Sequence, residues 1–268
     1  NKRINIMGLR RIVAVISALL LLAGCQSLPD QTVFGDATDP DTTATMEQPQ
    51  PYETQPFEAA DSAAPVPPED LWARIRDDLS WQSMSHPAID EARERFLSQS
   101  KYLPVVADRA NYYLYHIVEE VEQRELPMEI ALLPLVESTL NPFASSSSSA
   151  AGLWQIMPAT GRHLGLRQDW WYDGRRDLRD STRAALDYLE ELHRDFDGDW
   201  LLALAAYNSG KGRVARSRRA NEGRGQATDY WSIKLPRETR NYVPTLIALS
   251  QIVADPERYG ATIPAVPN

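Results

Sequence analysis

The sequence predicts a mainly α-helical domain that begins near residue 69, and three observations predict it. Large apolar residues recur every three or four positions over much of the chain after that point, which is the spacing of one helix face. Residues that favour helix N-caps precede several of these segments. Alternation of apolar and polar residues, the pattern of half-buried strands, is scarce between them. A domain of about 190 residues is large enough to bury a core of its own.

The first 25 residues resemble an export signal rather than part of this domain. A short apolar run over residues 12–23 follows four basic residues, which are Lys2, Arg3, Arg10 and Arg11. About a dozen apolar residues suit a secretory signal and fall short of the roughly 20 that span a bilayer. The run ends in Leu22-Ala23-Gly24-Cys25, which resembles the lipobox of bacterial lipoproteins. The resemblance implies that Cys25 is lipidated and begins the mature protein, with a buried structural thiol as the alternative.

Two features of this cysteine bear on where the protein works. Cys25 is the only cysteine of the chain, so an intrachain disulfide is excluded. Gln26 follows it, where inner-membrane lipoproteins usually carry aspartate. The resemblance therefore implies a lipid anchor at the periplasmic face of the outer membrane of a Gram-negative cell.

Residues 26–68 are predicted to form a disordered tether. The segment is rich in Asp, Thr, Pro and Gln and has few large apolar residues. Such a composition cannot bury enough surface to offset the entropy lost on ordering. A flexible segment of this length would let the domain move roughly some tens of Å from its anchor.

The first helices are predicted from one cap and from apolar spacing. Asp70 can cap a helix in which Leu71, Ile75 and Leu79 recur every four residues. Aromatic and branched residues at similar spacing predict a second helix over residues 112–123.

A third helix is predicted over residues 129–137, and prolines mark its start and its middle. Pro127 suits the opening of the helix, because the first turn needs no N–H donor there. Pro134 lies inside the segment and removes one helix hydrogen bond. We therefore expect a kink or a change of helix type at Pro134.

The remaining helices are predicted at residues 182–196, 200–207 and 237–252. Ser181 and Asp199 are the expected N-caps of the first two. The last contains an interior proline, Pro244. The helical domain is thus assigned to residues 69–260, and residues 261–268 form a tail.

Composition argues against several classes of function. The formal net charge is −9 and basic residues are not interleaved with aromatic ones, so nucleic acid is not an expected partner. Residues 208–212 (NSGKG) lack the preceding strand and the spacing of a phosphate-binding loop. The histidines lie too far apart for metal-ligand spacing, at positions His86, His116, His163 and His193. We therefore expect no metal and no cofactor.

Glu137 is the candidate for acid chemistry. It closes a run of uncharged residues at positions 130–136, which predicts partial loss of solvent around its carboxyl group. Desolvation raises the pKa of a carboxyl group and lets it hold a proton near neutral pH, as a general acid must. The alternative is a glutamate at a helix end that faces water.

Four blocks of sequence identify a family. They are residues 137–142 (ESTLNP), 152–161 (GLWQIMPATG), 205–210 (AAYNSG) and 238–244 (ETRNYVP). In this order they resemble the lysozyme-like lytic transglycosylases of peptidoglycan, specifically the membrane-bound type D group, over roughly residues 70–260. The resemblance implies an all-α catalytic domain, within the α+β lysozyme-like superfamily, after the disordered tether.

The resemblance also assigns roles to individual residues. It implies that Glu137 is the single catalytic acid and base, and that Tyr242 orients its carboxyl group through a hydrogen bond. The residues implied to line the groove and contact the N-acetyl sugars are Ser146, Gln155, Met157, Tyr207 and Asn208.

Several of these positions have structural alternatives. Trp154 could serve the core alone, and Met157 in an apolar context is more often packing than contact. Asn208 could end a helix, because asparagine tolerates left-handed geometry. Relatives often carry Gly or Asn at the position of Ser149, where a left-handed conformation costs serine more than glycine. Ser146 lies in the same serine run.

The implied reaction is cleavage of the bond between N-acetylmuramic acid and N-acetylglucosamine, with a 1,6-anhydromuramic acid end as product. A lysozyme-type hydrolase is the nearest alternative and needs a second carboxylate. The available candidates, which are also typical of turns and caps, are Asp169, Asp173, Asp177 and Asp180. A glycan-binding lipoprotein without activity is the third possibility, but it would have no chemical reason to keep Glu137 and Tyr242.

The C-terminus sets one further expectation. Relatives often carry sugar-binding LysM repeats after the catalytic domain, whereas this sequence stops at Asn268. We therefore expect the groove and the lipid anchor alone to hold the glycan strands.

Overall fold

The computed structural model of the protein describes residues 69–268, so the leader, Cys25 and the predicted tether lie outside the described residues. The α-helices of the described part are α1 (Leu71–Asp78), α2 (Pro87–Leu97), α3 (Tyr102–Gln123), α4 (Leu133–Ser138), α5 (Pro158–His163), α6 (Leu178–Asp195), α7 (Trp200–Ser209), α8 (Lys211–Glu222) and α9 (Arg237–Ala254). Two 3-10 helices span Met128–Leu132 and Glu257–Tyr259. Bridges between single residues are the only β-pairing within residues 69–268. The prediction of a mainly helical domain is confirmed.

The core is organised around α9 and α7. Helix α9 packs against α1, α2, α4, α7 and the first 3-10 helix, and most of its residues after Asn241 are buried. Helix α7 is apolar nearly all round, as expected for a helix enclosed by others, and it packs against α6, α8 and α9. Among residues 69–268, no helix is long and apolar enough to cross a membrane.

Two predicted N-caps are confirmed. The Asp70 carboxylate accepts a hydrogen bond from the Trp72 N–H at 3.3 Å. The Asp199 carboxylate accepts one from the Leu202 N–H at 3.0 Å. Each cap satisfies a backbone donor that the first turn of a helix leaves free.

The prediction of Ser181 as a cap was wrong. Helix α6 begins at Leu178, and the Asp177 carboxylate caps it by accepting a hydrogen bond from the Asp180 N–H at 2.8 Å. Ser181 lies buried in the first turn, where its hydroxyl donates to the Asp177 carbonyl at 2.5 Å. An aspartate four residues earlier supplied the better cap, because its carboxylate reaches the free N–H groups of that turn.

Pro134 coincides with the expected change of helix type. The 3-10 helix Met128–Leu132 passes directly into α4, in which Pro134 occupies the second position. No N–H donor is needed so close to a helix start. The change of helix type is therefore confirmed, and it leaves Glu137 in the last turn of a short helix.

The interior proline of α9 is compensated by a tyrosine. Pro244 has no N–H group, so the carbonyl of Arg240 lacks its usual helical partner. The hydroxyl of Tyr230 donates toward the carbonyls of Arg240 and Thr239, each at 3.0 Å. This hydrogen bond gives a partner to the carbonyl that Pro244 leaves free, in the turn of α9 that contains Tyr242.

Residues 261–268, the predicted tail, pack against the start of the domain. The Leu71 N–H donates to the Val266 carbonyl at 2.8 Å, and the Trp72 indole N–H donates to the Pro264 carbonyl at 3.0 Å. Val266 is buried. The two ends of the described chain are thus joined by backbone and side-chain hydrogen bonds.

Candidate active site

Glu137 and all five predicted sugar-contacting residues line one cleft of about 900 Å³. This volume lies near the upper end of the range for small-molecule sites, about 300–1,000 Å³. The predicted residues on its walls are Ser146, Gln155, Met157, Tyr207 and Asn208. Residues on the walls that the sequence analysis did not single out include Thr160, Tyr188, Arg213, Glu238 and Thr239.

Glu137 holds its carboxyl group at the boundary between core and cleft. The hydroxyl of Tyr242 donates to Glu137 Oε1 at 2.5 Å. Burial raises the pKa of Glu137 to about 7, the hydrogen bond from Tyr242 opposes that rise, and the negative charge of Glu238 adds to it. A substantial share of the molecules therefore carries a protonated Glu137 at neutral pH, as predicted for a general acid.

The backbone directly after Glu137 is held in an uncommon conformation. Thr139 and Leu140 both have positive φ angles, 54° and 52°, which are costly for residues with a Cβ. The Thr139 N–H donates to the Leu135 carbonyl and the Leu140 N–H to the Pro134 carbonyl, each at 3.0 Å. The first of these is the bond of a left-handed helix ending. Arg109 in α3 donates to the Thr139 carbonyl at 2.7 Å. These hydrogen bonds fix the end of the helix that presents Glu137.

Ser138 joins the glutamate helix to the opposite loop of the cleft. Its hydroxyl lies 2.9 Å from the Leu153 carbonyl and 3.1 Å from the Pro134 carbonyl. It also accepts a hydrogen bond from the Asn141 N–H at 3.2 Å. The sequence analysis gave this serine no role. Its position directly after Glu137 was the signal in the sequence, because adjacent residues of a helix point in different directions.

The serine run forms the turn expected before Gly152. Ser149 has a φ of 68°, so this position is left-handed, as relatives with Gly or Asn there suggest. Ser146 Oγ accepts a hydrogen bond from the Ala150 N–H at 3.0 Å. The Ser146 side chain is exposed to the cleft, which leaves its hydroxyl proton available to a bound sugar.

Arg175 supports this loop from behind. It is largely buried and pairs with Asp173 at 2.7 Å. Its guanidinium group donates to the carbonyls of Ser149 at 2.8 Å and Ile156 at 3.1 Å. The backbone of Arg175 also closes on Gly152, because a Cβ built there would lie 1.8 Å from the Arg175 carbonyl oxygen.

The structure separates the packing residues of the Trp154 block from those in the cleft. Trp154 is fully buried and donates from its indole N–H to Thr182 Oγ1 at 3.0 Å, so its core interpretation is correct. Gln155 lines the cleft with a φ of 46°, and its side-chain amide donates to the Gly152 carbonyl at 2.9 Å. Met157 is 42% exposed, which favours contact with a ligand over packing.

Tyr207 and Asn208 form the wall of the cleft contributed by α7. The Tyr207 hydroxyl donates to the Trp154 carbonyl at 2.8 Å, and burial raises its pKa well above the usual value. Asn208 Oδ1 accepts a hydrogen bond from the Thr239 hydroxyl at 2.8 Å. The alternative that Asn208 ends its helix was wrong. Helix α7 continues past it, and the positive φ of 91° belongs to Gly210, which adopts it at lower cost.

The four aspartates considered for a hydrolase have structural roles away from the cleft. Asp169 accepts hydrogen bonds from two backbone N–H groups of its own turn, Asp173 pairs with Arg175, Asp177 caps α6, and Asp180 accepts a hydrogen bond from the Tyr172 hydroxyl. The interpretation as turn and cap residues is confirmed for Asp169, Asp173 and Asp177, whereas Asp180 lies inside the first turn of α6.

Glu238 is the second carboxylate that the sequence analysis missed. Within residues 69–268, the acidic side chains that line the cleft are Glu137 and Glu238. Glu238 and Tyr242 are four residues apart in α9, so they lie on one face of that helix. This spacing was the signal in the sequence that could have identified Glu238. No cluster of three or more His, Cys, Asp or Glu side chains in the described part of the chain is arranged to hold a metal ion.

The described residues thus form a helical domain with one hydrogen-bonded, half-buried acid at a cleft. Residues 115–230 match the family described as Transglycosylase SLT domain. The chain is 42% identical over 251 residues to membrane-bound lytic murein transglycosylase D of Escherichia coli (strain K12), over 94% of this chain and 55% of that protein. The resemblance predicted from the sequence is therefore confirmed.

Two further matches complete the comparison. The chain is 31% identical over 130 residues to the soluble lytic murein transglycosylase of Escherichia coli (strain K12), over 47% of this chain and 20% of that protein. The solved structure of the 70 kDa soluble lytic transglycosylase of Escherichia coli matches with a TM-score of 0.42 and 24% identity, over 54% of this chain and 24% of that chain. The chain spans about half the length of the curated relatives that it matches over most of its own length.

Proposed function

We propose that this protein is a lytic transglycosylase. It cleaves the bond between N-acetylmuramic acid and N-acetylglucosamine in peptidoglycan and leaves 1,6-anhydromuramic acid ends. The observation that carries the proposal is the pair of Glu137 and Tyr242, joined by a 2.5 Å hydrogen bond at a cleft lined by polar groups. The match of residues 115–230 to the family described as Transglycosylase SLT domain supports it.

In the first step, protonated Glu137 donates its proton to the oxygen that links the two sugars. The pKa near 7 keeps a share of the carboxyl groups protonated at neutral pH, which is the condition for a general acid. The bond from that oxygen to C1 of the muramoyl residue breaks, and N-acetylglucosamine leaves with the oxygen as its C4 hydroxyl group. The acetamido group of the muramoyl residue stabilises the electron-poor C1. Tyr242 holds the acid in place and stabilises the carboxylate that forms.

In the second step, the Glu137 carboxylate takes a proton from the C6 hydroxyl of the muramoyl residue. That oxygen then bonds to the electron-poor carbon and closes the 1,6-anhydro ring. The nucleophile belongs to the substrate, so one glutamate serves as acid and then as base. No second carboxylate is needed to activate water, unlike in most glycosidases.

The walls of the cleft supply contacts for the sugar rings. We assign to Ser146, Gln155 and Asn208 the hydrogen bonds to the acetamido and hydroxyl groups of the glycan. Met157 and Tyr207 offer apolar surface to the ring faces. All five lie on the cleft that contains Glu137, which is the placement that these roles require.

Digestion of purified peptidoglycan sacculi tests the proposal. The soluble products, separated by chromatography and weighed by mass spectrometry, are expected to end in 1,6-anhydromuramic acid. A hydrolase of lysozyme type is the second candidate, because Glu238 places another carboxylate on the cleft. That enzyme would release reducing muramic acid ends, heavier by one water molecule.

The pH dependence of cleavage should respond in opposite directions to two substitutions. Activity needs protonated Glu137, so kcat/KM falls as the pH rises through its pKa of about 7. The hydrogen bond from Tyr242 lowers this pKa and the charge of Glu238 raises it. Tyr242→Phe should therefore move the fall to higher pH, and Glu238→Gln should move it to lower pH. Rates measured on sacculi over the range around neutrality provide the test.

The same pair of variants separates the two candidate activities. Under the proposal, Glu238→Gln keeps anhydro products and a rate within about tenfold of the unmodified chain, since it changes only a nearby charge. A loss of all product would show that Glu238 activates water, and a shift of both variants in one direction would contradict the assigned hydrogen bond.

We propose in addition that lipidated Cys25 anchors the enzyme to the periplasmic face of the outer membrane. The lipobox-like residues 22–25 support this, and the relative matched over most of the chain is named membrane-bound. Each buried methylene of an acyl chain contributes about 0.8 kcal/mol, so two or more chains give stable attachment. Cys25→Ser should release the protein into the soluble periplasmic fraction with its activity on isolated glycan unchanged. Continued sedimentation with membranes would contradict the anchor.

A further inference from the structure

Positive charge is concentrated in one segment of an acidic chain. Residues 211–240 carry nine basic and three acidic side chains, whereas the rest of the chain carries 19 basic and 34 acidic ones. This segment consists of α8, the following loop and the start of α9. The local charge is therefore opposite to the net charge of −9.

Three arginines of α8 have no polar side-chain partner within residues 69–268. Arg213, Arg216 and Arg219 follow one another at intervals of three, so they are neighbours along the outer face of the helix. All three are exposed, and within residues 69–268 they form no ion pair and no side-chain hydrogen bond. The other basic residues of α8, Lys211 and Arg218, pair with Asp195 and Asp197. We call Arg213, Arg216 and Arg219 the basic strip.

The basic strip does not serve the folding of α8. The helix buries only Val214 and Asn221, which lie on the face opposite the strip. Like charges three residues apart repel each other and weaken a helix. Binding of an anion would explain why three arginines that repel each other are placed side by side.

The strip is continuous with the catalytic cleft. Arg213 at its first position lines that cleft together with Glu137, Asn208 and Gly210. Arg216 and Arg219 extend from there by successive turns of α8. A polymer that leaves the cleft past Arg213 would therefore meet the other two arginines.

We propose that the basic strip binds the carboxylates of the peptide stems of peptidoglycan. This inference rests on the proposed function, which places the glycan chain in the cleft. Each muramic acid carries a short peptide with free carboxylates, so the substrate is a polyanion that the acidic protein as a whole repels. Guanidinium groups match carboxylates in charge and geometry, and a strip beside the cleft offsets the repulsion where the stems emerge.

The double variant Arg216→Gln/Arg219→Gln tests the proposal without altering the walls of the cleft. Its matched control is Arg95→Gln/Arg179→Gln, which removes two exposed arginines of α2 and α6 and gives the same net charge. The charge-preserving Arg216→Lys/Arg219→Lys is a second control for folding. Each is assayed on glycan strands with their peptide stems and on strands freed of them by an amidase.

The Gln double variant should raise KM about three- to tenfold on strands with stems, with kcat unchanged, because exposed ion pairs contribute modestly. On strands without stems it should match the unmodified chain. The Arg95→Gln/Arg179→Gln control should behave as unmodified on both substrates, and the Lys variant should retain most of the affinity. Salt should erase the difference, since exposed charges are screened. Equal KM values for the Gln double variant and the unmodified chain on stem-bearing strands would overturn the proposal.

Binding measured without cleavage keeps this test separate from the proposed function. In a Glu137→Gln background, cosedimentation with intact sacculi should fall for the Gln double variant and not for the Arg95→Gln/Arg179→Gln control. If the unmodified chain cleaves no strand, the proposed activity is refuted. The cosedimentation result would still show whether the basic strip binds peptide stems. Loss of binding to vesicles of anionic phospholipid, with unchanged binding to sacculi, would assign the strip to a membrane and overturn the proposal.

Discussion

Replacing Glu137 with glutamine is expected to abolish cleavage of peptidoglycan while leaving the fold and glycan binding nearly intact. Glutamine is close to glutamate in shape, but it can neither donate nor accept the transferred proton. General acid and general base steps each contribute about 10²–10⁴-fold to a rate, and the proposed mechanism assigns both to this residue. Initial rates on sacculi measure the loss, and cosedimentation with sacculi checks binding. Release of products at the unmodified rate would refute the assignment of Glu137.

Glu137→Gln is also expected to change how the free energy of unfolding depends on pH. Because the pKa of Glu137 is raised from 4.5 to about 7 in the folded protein, the native state holds the proton more tightly than the unfolded state. The resulting stabilisation is fully present below pH 4.5 and is lost as the pH rises through about 7, by up to about 3 kcal/mol. Glu137→Gln removes this dependence. Urea unfolding of both chains at acidic and mildly alkaline pH should show the difference in favour of glutamine growing with pH.

Gly152→Ala is expected to destabilise the fold strongly, although it adds only one methyl group. Gly152 has a φ of 82°, and an added Cβ would lie 1.8 Å from the Arg175 carbonyl oxygen. The left-handed backbone alone costs an alanine about 1–2 kcal/mol, and forced displacement of a packed backbone adds roughly 1–3 kcal/mol. We expect a loss of about 2–5 kcal/mol in the free energy of unfolding.

Gly165→Ala is the matched control for this prediction. Gly165 has a similar φ of 76°, but no atom lies within 4 Å of an added Cβ. It should therefore show only the backbone cost, about 1–2 kcal/mol. Gly152→Ala should also reduce activity, because Arg175 holds the backbone of Ser149 and Ile156 at the cleft. Equal effects of the two alanines on stability would show that the contact with Arg175 does not constrain Gly152.

Local rules predicted much of the fold and failed where two of them competed. Asp70 and Asp199 act as the caps that their positions indicate, since capping depends on neighbours in sequence. Ser181 is also a good cap by that rule, yet Asp177 offers a charged acceptor one turn earlier and begins the helix there. Pro134 marks the change of helix type, because a residue without an N–H group is tolerated at the start of a helix and not in its interior.

The candidate site was predictable in its principal residues and not in its supports. Glu137 and Tyr242 were found through motifs, and the structure joins them by a hydrogen bond. Arg175 and Ser138 were not singled out, because the contacts that tie them to the cleft are made to backbone carbonyls, which every sequence possesses. Glu238 was in a recognised block, but its position on the cleft depends on the packing of α9 against other helices.

Cleavage of sacculi in water labelled with oxygen-18 tests the central claim most directly. A transglycosylase uses the C6 hydroxyl of the muramoyl residue in place of water. The account therefore predicts products with 1,6-anhydromuramic acid ends that carry no oxygen-18, and no such products from the Glu137→Gln variant. Reducing muramic acid ends that each contain one oxygen-18 atom would show that water attacks the sugar, and would contradict the proposed reaction.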